Sequence, residues 1–449
     1  MKTIQKSNQI DMLHGSLIQK LLLFALPLAA SSILQQLFNS ADVAVVGRYA
    51  GSDALAAVGS NAPVIALFVN LFVGLSVGAN VVIANYIGQR QTEKIQDVVH
   101  TVVLFGIISG VVMLILGQII ARPILMLIDT PPEVLDMAVL YLRIYFAGMP
   151  FIVVYNFGAA ILRSIGDTKR PLYCLIISGV INVALNLLLV VVFHMGVAGV
   201  SIATDVANAV SAGIVLYALM HETEIIRLHL NQLKILKEPL LRVLRIGAPS
   251  AIQTSVFSLS NVCIQTGINS FGPDAVAGSS TALNFEYFTY YMISAFSQAA
   301  VTFTGQNYGA GQYDRCKRIF KWSMIEGMVI TAIMSTIFIL GRYFLVRFYT
   351  IDDAVIEYAM IRMIHVMAIE FLTGSYEISG ASLRGMGYSV LPAILTVFGS
   401  CVFRLVWLYT VFQKEHTFAM LMNAYPASWI FTGTMMLISY GIIRRKILK

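Results

Sequence analysis

The stretch LLLFALPLAASSILQQLFNSADVAVVG, Leu21 to Gly47, decides the fold. It stays apolar for longer than the ~20 residues a helix needs to cross a bilayer core. One acid, Asp42, stands inside it. A carboxylate at the centre of a membrane helix costs roughly 2.5–3.5 kcal/mol even on insertion scales. Two readings of Asp42 follow. It is an ion or proton site facing protein or water, or it is an acid held near the outer surface by a structural hydrogen bond.

The composition agrees with a chain that spans the membrane many times. Of 449 residues 58% are hydrophobic and only 12% charged, against about 25% charged in a soluble domain. The net charge of +7 does not indicate nucleic-acid binding, because the basic residues sit in short loops. Cys174, Cys263, Cys316 and Cys401 are scattered, with neither metal spacing nor a disulfide framework. Lys20 before an apolar run, with Ala29, Ala30 and Ser31 after it, has the look of a secretory leader. The run continues past those residues, and a related stretch recurs in mid-chain, so an uncleaved span is expected.

That recurrence organises the chain. Pro27 and Asn39 match Pro249 and Asn261 at one offset. One residue less relates Gly51, Asp53, Ala54 and Ala56 to Gly272, Asp274, Ala275 and Ala277. The same register relates Leu162, Arg163, Gly166 and Pro171 to Leu383, Arg384, Gly387 and Pro392. The expected fold is an all-α membrane protein of twelve transmembrane helices in two six-helix lobes. The expected domains are an N-terminal lobe over 1–220, a cytoplasmic linker over 221–240 and a C-terminal lobe over 241–449. The expected spans of the first half are 17–48, 54–83, 98–121, 135–162, 170–193 and 196–219. Those of the second are 241–270, 275–304, 318–346, 354–383, 389–412 and 419–443.

Orientation is read from lysine and arginine. With the amino terminus inside, the inner segments collect all but eight of the 30, including Lys2, Lys6, Lys20, Arg90, Lys94 and, at the far end, Arg444, Arg445, Lys446 and Lys449. Both termini are therefore expected in the cytoplasm, in a bacterial cytoplasmic membrane. Six spans per half give the halves one orientation, a parallel pseudo-two-fold repeat. Pro27 and Pro249 hold equivalent places. They either bend helices of a rocking carrier or reflect how common proline is in membrane helices.

Depth gathers the polar residues of the first half. Asp42 lies nine residues before Gly51, Asn182 eleven before Phe193, and Asp205 nine after Gly196. At about 1.5 Å per residue these places are roughly 14–17 Å below the outer surface. With Asn186 and Thr204 nearby they form either a cation site for Na⁺ or H⁺ or a hydrogen-bonded interhelical cluster. The second half carries Glu286, Glu326, Glu370 and Glu377 with Arg404. Glu286 or Glu370 is expected to pair with Arg404, since an unpaired arginine at that depth is costly. Glu286 lies in an aromatic run of Phe285, Tyr287, Phe288, Tyr290 and Tyr291. Such rings either bind organic cations or form an interfacial belt. No GxxxxGK[ST] phosphate loop, HExxH or nucleophile elbow occurs, so no enzyme chemistry is expected and transport would draw on a gradient.

FTGQNYGAG (Phe303 to Gly311), LRSIGDTKRP (Leu162 to Pro171) and LRGMGY (Leu383 to Tyr388) resemble the multidrug and toxic compound extrusion (MATE) transporters. The resemblance covers nearly the whole chain. It implies two six-helix lobes facing a central cleft. It also implies antiport of organic cations and drugs against inward Na⁺ or H⁺, with no cofactor. The family's first-span acid falls on Asp42, its fifth-span polar motif on Asn182 and Asn186, and its sixth-span threonine on Thr204. Many members carry an acid at the place of Asn186, and Asp205 is not part of the pattern. The expectation is that Asp205 replaces the missing acid and forms a two-carboxylate site with Asp42, a possible Na⁺ site. Substrate contacts are expected from Glu286, Tyr287, Tyr290, Tyr291, Glu370, Glu377 and Arg404. The expected partners are cationic amphipathic small molecules and the lipid bilayer, with no nucleic acid, and the protein is expected to be a monomer. The alternative is a lipid-linked saccharide flippase, whose cavity would need several basic residues. The sequence offers mainly acids, with Arg143 and Arg404 the chief exceptions.

Overall fold

The structure, a computed structural model, describes residues 9–222 and 225–447. Lys2, Lys6 and Lys449, counted above for orientation, lie outside the described residues. So do Thr223 and Glu224 of the expected linker. Among the described residues there is no strand, only helix and short connections. The first half runs α1 (Leu17–Tyr49), α2 (Ser52–Gln89), α3 (Thr92–Leu127), α4 (Pro132–Ala147 with Met149–Ser164), α5 (Lys169–Val192) and α6 (Gly196–Met220). The second runs α7 (Lys237–Asn269), α8 (Pro273–Gly309), α9 (Tyr313–Leu340), α10 (residues 353–385), α11 (Val390–Lys414) and α12 (Phe418–Ile447). These correspond to the twelve expected spans, except that the expected span 318–346 ends at Leu340 and a separate short helix, Arg342–Tyr349, follows it. Most helices run up to several residues past their apolar stretch at one end or both, because hydrogen bonding continues where the hydrocarbon ends.

Eight of these helices are long and apolar enough to cross a membrane, and the two pieces of α4 add a ninth. The exceptions are α7, α8 and α10. Polar side chains dilute α7 and α8, and α10 is broken into short pieces. The repeat extends to the backbone. Left-handed residues Gly51, Arg90 and Gly166 (φ 92°, 58° and 88°) recur as Gly272, Gly311 and Gly387 (φ 92°, 72° and 89°).

Contacts divide the chain into two units, but not at the linker. One unit takes Ala30–Gly247 together with residues 9–10; the other takes Asp11–Ala29 together with residues 248–447. Besides the switch between Ile10 and Asp11, the changes of unit fall within three residues of Pro27 in α1 and Pro249 in α7. A cut between 1–220 and 241–449 misses this exchange. The start of α7 packs in the first unit through glycines. A Cβ on Gly78 would fall 2.2 Å from the Val243 carbonyl oxygen, and one on Gly247 2.6 Å from that of Leu75. The start of α1 packs in the second unit, where Phe24 meets Phe303 edge-on at 5.5 Å. The linker lies on α3 rather than hanging free. Thr101 Oγ1 donates to the Lys234 carbonyl at 3.2 Å and accepts from the Leu236 amide at 3.3 Å.

The residues quoted for the family resemblance act as tie points. Asp167 accepts the amides of Lys169 and Arg170 at 3.1 and 3.0 Å, and the Arg170 guanidinium joins Asp167 to Glu222. In the second unit Asn307 Nδ2 holds the Met12 carbonyl at 3.1 Å. Arg315 donates to the carbonyls of Met12, His14 and Gly15 at 3.1–3.2 Å, and Lys20 Nζ reaches those of Asp11 and His14. Cationic and amide donors thus satisfy a short irregular segment whose carbonyls have no helix to bond to.

Candidate functional site

Helix irregularities position the buried polar side chains. Asn186 is the last α-helical residue of α5 before a π-helical turn, Leu187–Val192. Arg362 is the last residue of the first piece of α10, before a π-helical turn at Met363–Met367. Glu370 opens a 3₁₀ turn in the same helix. Arg404 follows the π-helical turn Val397–Val402 of α11. Such turns re-aim side chains and leave backbone groups available.

In the first unit Asp42 is the hub. Asn186 Nδ2 donates to Asp42 Oδ1, and Thr204 Oγ1 donates to Asp42 Oδ2 at 3.5 Å. Asn182 stands behind them. Its Nδ2 donates to Thr204 Oγ1 at 3.4 Å, and its Oδ1 accepts from Asn186 Nδ2 at 3.3 Å. Asn182 and Asn186 are buried. The side-chain Oδ1 of Asn186 is buried with no hydrogen-bond partner. A carboxylate, a hydroxyl and an unengaged amide oxygen are the oxygen donors a hard cation takes. No cation of this chain makes a salt bridge to Asp42 among the described residues. The depth argument thus brings Asp42, Asn182, Asn186 and Thr204 together.

Asp205 stands apart from them. No hydrogen bond joins it to Asp42 or to the amides. It rests on the break in α4, where the two pieces meet at 45°. A Cβ on Gly148 would fall 2.0 Å from Asp205 Oδ1, and that oxygen is buried without a hydrogen-bond partner. The helical rotation between Thr204 and Asp205 accounts for the divergence. Neighbouring residues on a helix point about 100° apart, so equal depth does not mean a shared face. Tyr141 and Tyr145 of α4 lie within electrostatic reach of both carboxylates. Among the described residues no group of three or more His, Cys, Asp or Glu side chains is placed to hold a metal.

The second unit has a cavity of about 160 Å³. Glu286, Tyr287, Tyr290, Glu370 and Arg404 line it, whereas Tyr291 and Glu377 do not. The expected pairing of Arg404 with an acid is corrected here. Glu286 is taken by Arg362, whose Nε and Nη2 donate to Oε1 and Oε2 at 2.6 and 2.8 Å. Arg362 Nη1 donates to Ser279 Oγ at 2.6 Å. Arg404 instead gives Nε to Ser428 Oγ at 3.0 Å and Nη1 to Asn261 Oδ1 at 3.1 Å. Its guanidinium lies 4.6 Å from the ring centre of Tyr425 and 5.1 Å from that of Phe257. Amide, hydroxyl and π-faces take the place of a counter-ion.

Of the other acids, Glu370 accepts a hydrogen bond from Thr289. Glu377 accepts from Tyr290 and Ser297 at 3.3 and 3.4 Å. Both carboxyl oxygens of Glu326 are buried with no hydrogen-bond partner, away from the cavity. Arg143 is exposed, so the buried bases of the spans include Arg362 rather than Arg143. The sequence held one signal for Arg362. It lies inside the expected span 354–383, where an arginine requires an acid of another helix.

A family model described as MatE matches residues 27–188 and again 249–410. The chain belongs to the MatE family. The two matched blocks begin at the equivalent prolines, so the family unit is the repeat itself. The probable multidrug resistance protein YoeA of Bacillus subtilis is 28% identical over 385 residues, 84% of this chain and 83% of that one. The multidrug export protein MepA of Staphylococcus aureus is 22% identical over 375 residues, 83% of each. Among solved structures, a crystal structure of MATE in complex with MaL6 superposes with a TM-score of 0.92 at 21% identity, covering 98% of this chain and 99% of that one. A Pyrococcus furiosus transporter of the MOP superfamily, described as having a binding pocket of reverse polarity, gives the same TM-score and identity, covering 99% of this chain and 100% of that one. At these identities the superpositions speak for the fold. As a MatE protein the chain is a membrane transporter of many spans and not an enzyme.

Proposed function

We propose that the protein exports organic cations and drugs from the cytoplasm by alternating access, as a monomer in a bacterial cytoplasmic membrane with both termini inside. Inward movement of Na⁺ or H⁺ through the first unit drives it. The Asp42 cluster carries this reading. One acid without a salt-bridge partner sits among Asn182, Asn186 and Thr204, beside an amide oxygen that nothing occupies. A charge left so in a membrane interior calls for a mobile cation. Either a proton or Na⁺ satisfies this oxygen set, and Asp42, Asn186 Oδ1 and Thr204 would hold it. Asp205 lies outside this cluster, against Gly148 of α4. In the second unit Glu370, Tyr287 and Tyr290 supply an acid and rings for a positively charged aromatic substrate. The names of YoeA and MepA support drug export.

The flippase reading is weaker. A pyrophosphate needs several free bases, and one of the two arginines in the cavity is already neutralised by Glu286. Everted vesicles holding the full chain test the proposal. A cationic dye should accumulate when an outward H⁺ or Na⁺ gradient is imposed, and only one of the two ions should support it. Dye movement that ignores both gradients sinks the coupling.

A further inference from the structure

Two buried arginines lie in one cavity, and they are not alike. Arg362 spends every guanidinium nitrogen on a side chain, two on Glu286 and one on Ser279. Arg404 is 1% exposed, yet it has no carboxylate partner among the described residues. Its Nε and Nη1 are engaged by Ser428 and Asn261, and among the described residues no hydrogen bond reaches Nη2. Arginine stays charged and carries five N–H donors. A buried guanidinium with an unused edge is expensive to keep.

The surroundings hold that edge in place. Tyr425 lies under both cations, 5.4 Å from Arg362 and 4.6 Å from Arg404. Phe257 covers Arg404 from its own helix at 5.1 Å. Both guanidiniums share one ring, and of the two only Arg362 has a carboxylate partner among the described residues. Glu370 accepts a hydrogen bond from Thr289, and the partners of Arg404 are Ser428 and Asn261. The cavity lining also includes Tyr376, Tyr290 and Trp429.

We infer that Arg404 and Tyr425 form an anion-binding point that takes the carboxylate of an aromatic substrate. A carboxylate matches the planar fork of a guanidinium with two acceptors. The rings accept the flat frame that carries it. The cavity of about 160 Å³ holds one such group, not a pyrophosphate-linked sugar. The carboxylate is additional to the positive group that Glu370 attracts, so the substrates singled out are aromatic zwitterions. The assignment rests on the export reading for its direction of transport but not for binding.

The full chain in lipid nanodiscs is titrated calorimetrically with aminomethyl-naphthoate and with its methyl ester, which keeps the ammonium and loses the carboxylate. The zwitterion should bind about tenfold or more tightly than the ester, the worth of one charge-assisted hydrogen bond. Arg404→Gln should erase that preference, while Arg404→Lys should keep part of it. Equal affinity for acid and ester in the natural chain overturns the inference, and that comparison stands even if Arg404→Gln does not fold. A chain that lacks the preference but still exports a simple cationic dye loses only this inference. A chain that binds the acid selectively but moves nothing loses the export reading instead.

Discussion

The two units share a backbone plan and differ in how they treat charge. Equivalent turns have equivalent left-handed residues, and the family unit matches both halves. Yet the first unit surrounds one acid with amides and a hydroxyl. The second pairs Glu286 with Arg362 and leaves Arg404 on rings and neutral acceptors. A salt-bridged charge is fixed, because its partner is covalently part of the protein. An acid solvated only by dipoles is free to take a mobile ion. The repeat thus shares its scaffold, and the side chains differ: neutral dipoles around an acid in one unit, a salt bridge and ring-covered arginine in the other.

The comparison breaks most directly at Asp42. Asp42→Asn removes the acid of the cluster it forms with Asn182, Asn186 and Thr204, so gradient-driven efflux should fall at least about tenfold while membrane insertion is kept. A mutant that pumps dye in everted vesicles at the natural rate makes the acid structural and erases the contrast between the units.

The next effect belongs to the second unit. Glu286→Gln or Arg362→Gln alone leaves a buried charge without its partner, at a cost of about 3–5 kcal/mol. The double change should recover most of the loss, because neither charge remains. Thermal unfolding of the three proteins in detergent measures this. Equal losses in the single and double variants show that the pair is not coupled.

A smaller effect separates Asp205 from the ion cluster. Gly148→Ala puts a methyl group 2.0 Å from Asp205 Oδ1, and overpacking of this kind costs about 1–3 kcal/mol. Trimming the acid with Asp205→Ala should relieve it. Asn186→Asp should not rescue Asp205→Asn, since Asp205 braces the α4 break and shares no hydrogen bond with Asn186. Rescue of transport by that double change restores the two-carboxylate site.

The smallest effect lies outside the membrane spans. Burial opposes ionisation of Asp11, but the Leu13 amide and the Lys20 ammonium outweigh it and hold the carboxyl below its ordinary range. The ionised form thus stabilises the folded segment above the ordinary aspartate value near ~3.9. That contribution is lost as pH falls through the lowered value. Solvent screening keeps it below about 1 kcal/mol. Stability against pH should flatten slightly over the acid range in Asp11→Asn.

Much of this was legible in the sequence. Apolar runs of sufficient length leave helix as the expected answer for this chain, and the offset between halves announces the repeat. The acid and amides of the first unit were legible too, because depth along a helix follows from residue count. Facing was not legible. Thr204 and Asp205 have nearly the same depth, yet one reaches Asp42 and the other Gly148, since each residue turns the helix by about 100°. Pairing in the second unit was likewise hidden. From the sequence only Arg404 was expected as a partner for Glu286, and the π-helical turns beside Arg362 and Arg404 change their direction by an amount that no apolar pattern records.

The sequence by itself determined the class, the number of helices, the repeat and the candidate acids. These depend on length, hydropathy and spacing, which are properties of the chain. Only the tertiary structure decided that Asp11–Ala29 groups with the C-terminal helices, that Arg362 neutralises Glu286, and that Arg404 keeps a free edge. Those facts depend on which faces meet across hundreds of residues. The contact that satisfies a buried charge is chosen by geometry after the helices have packed.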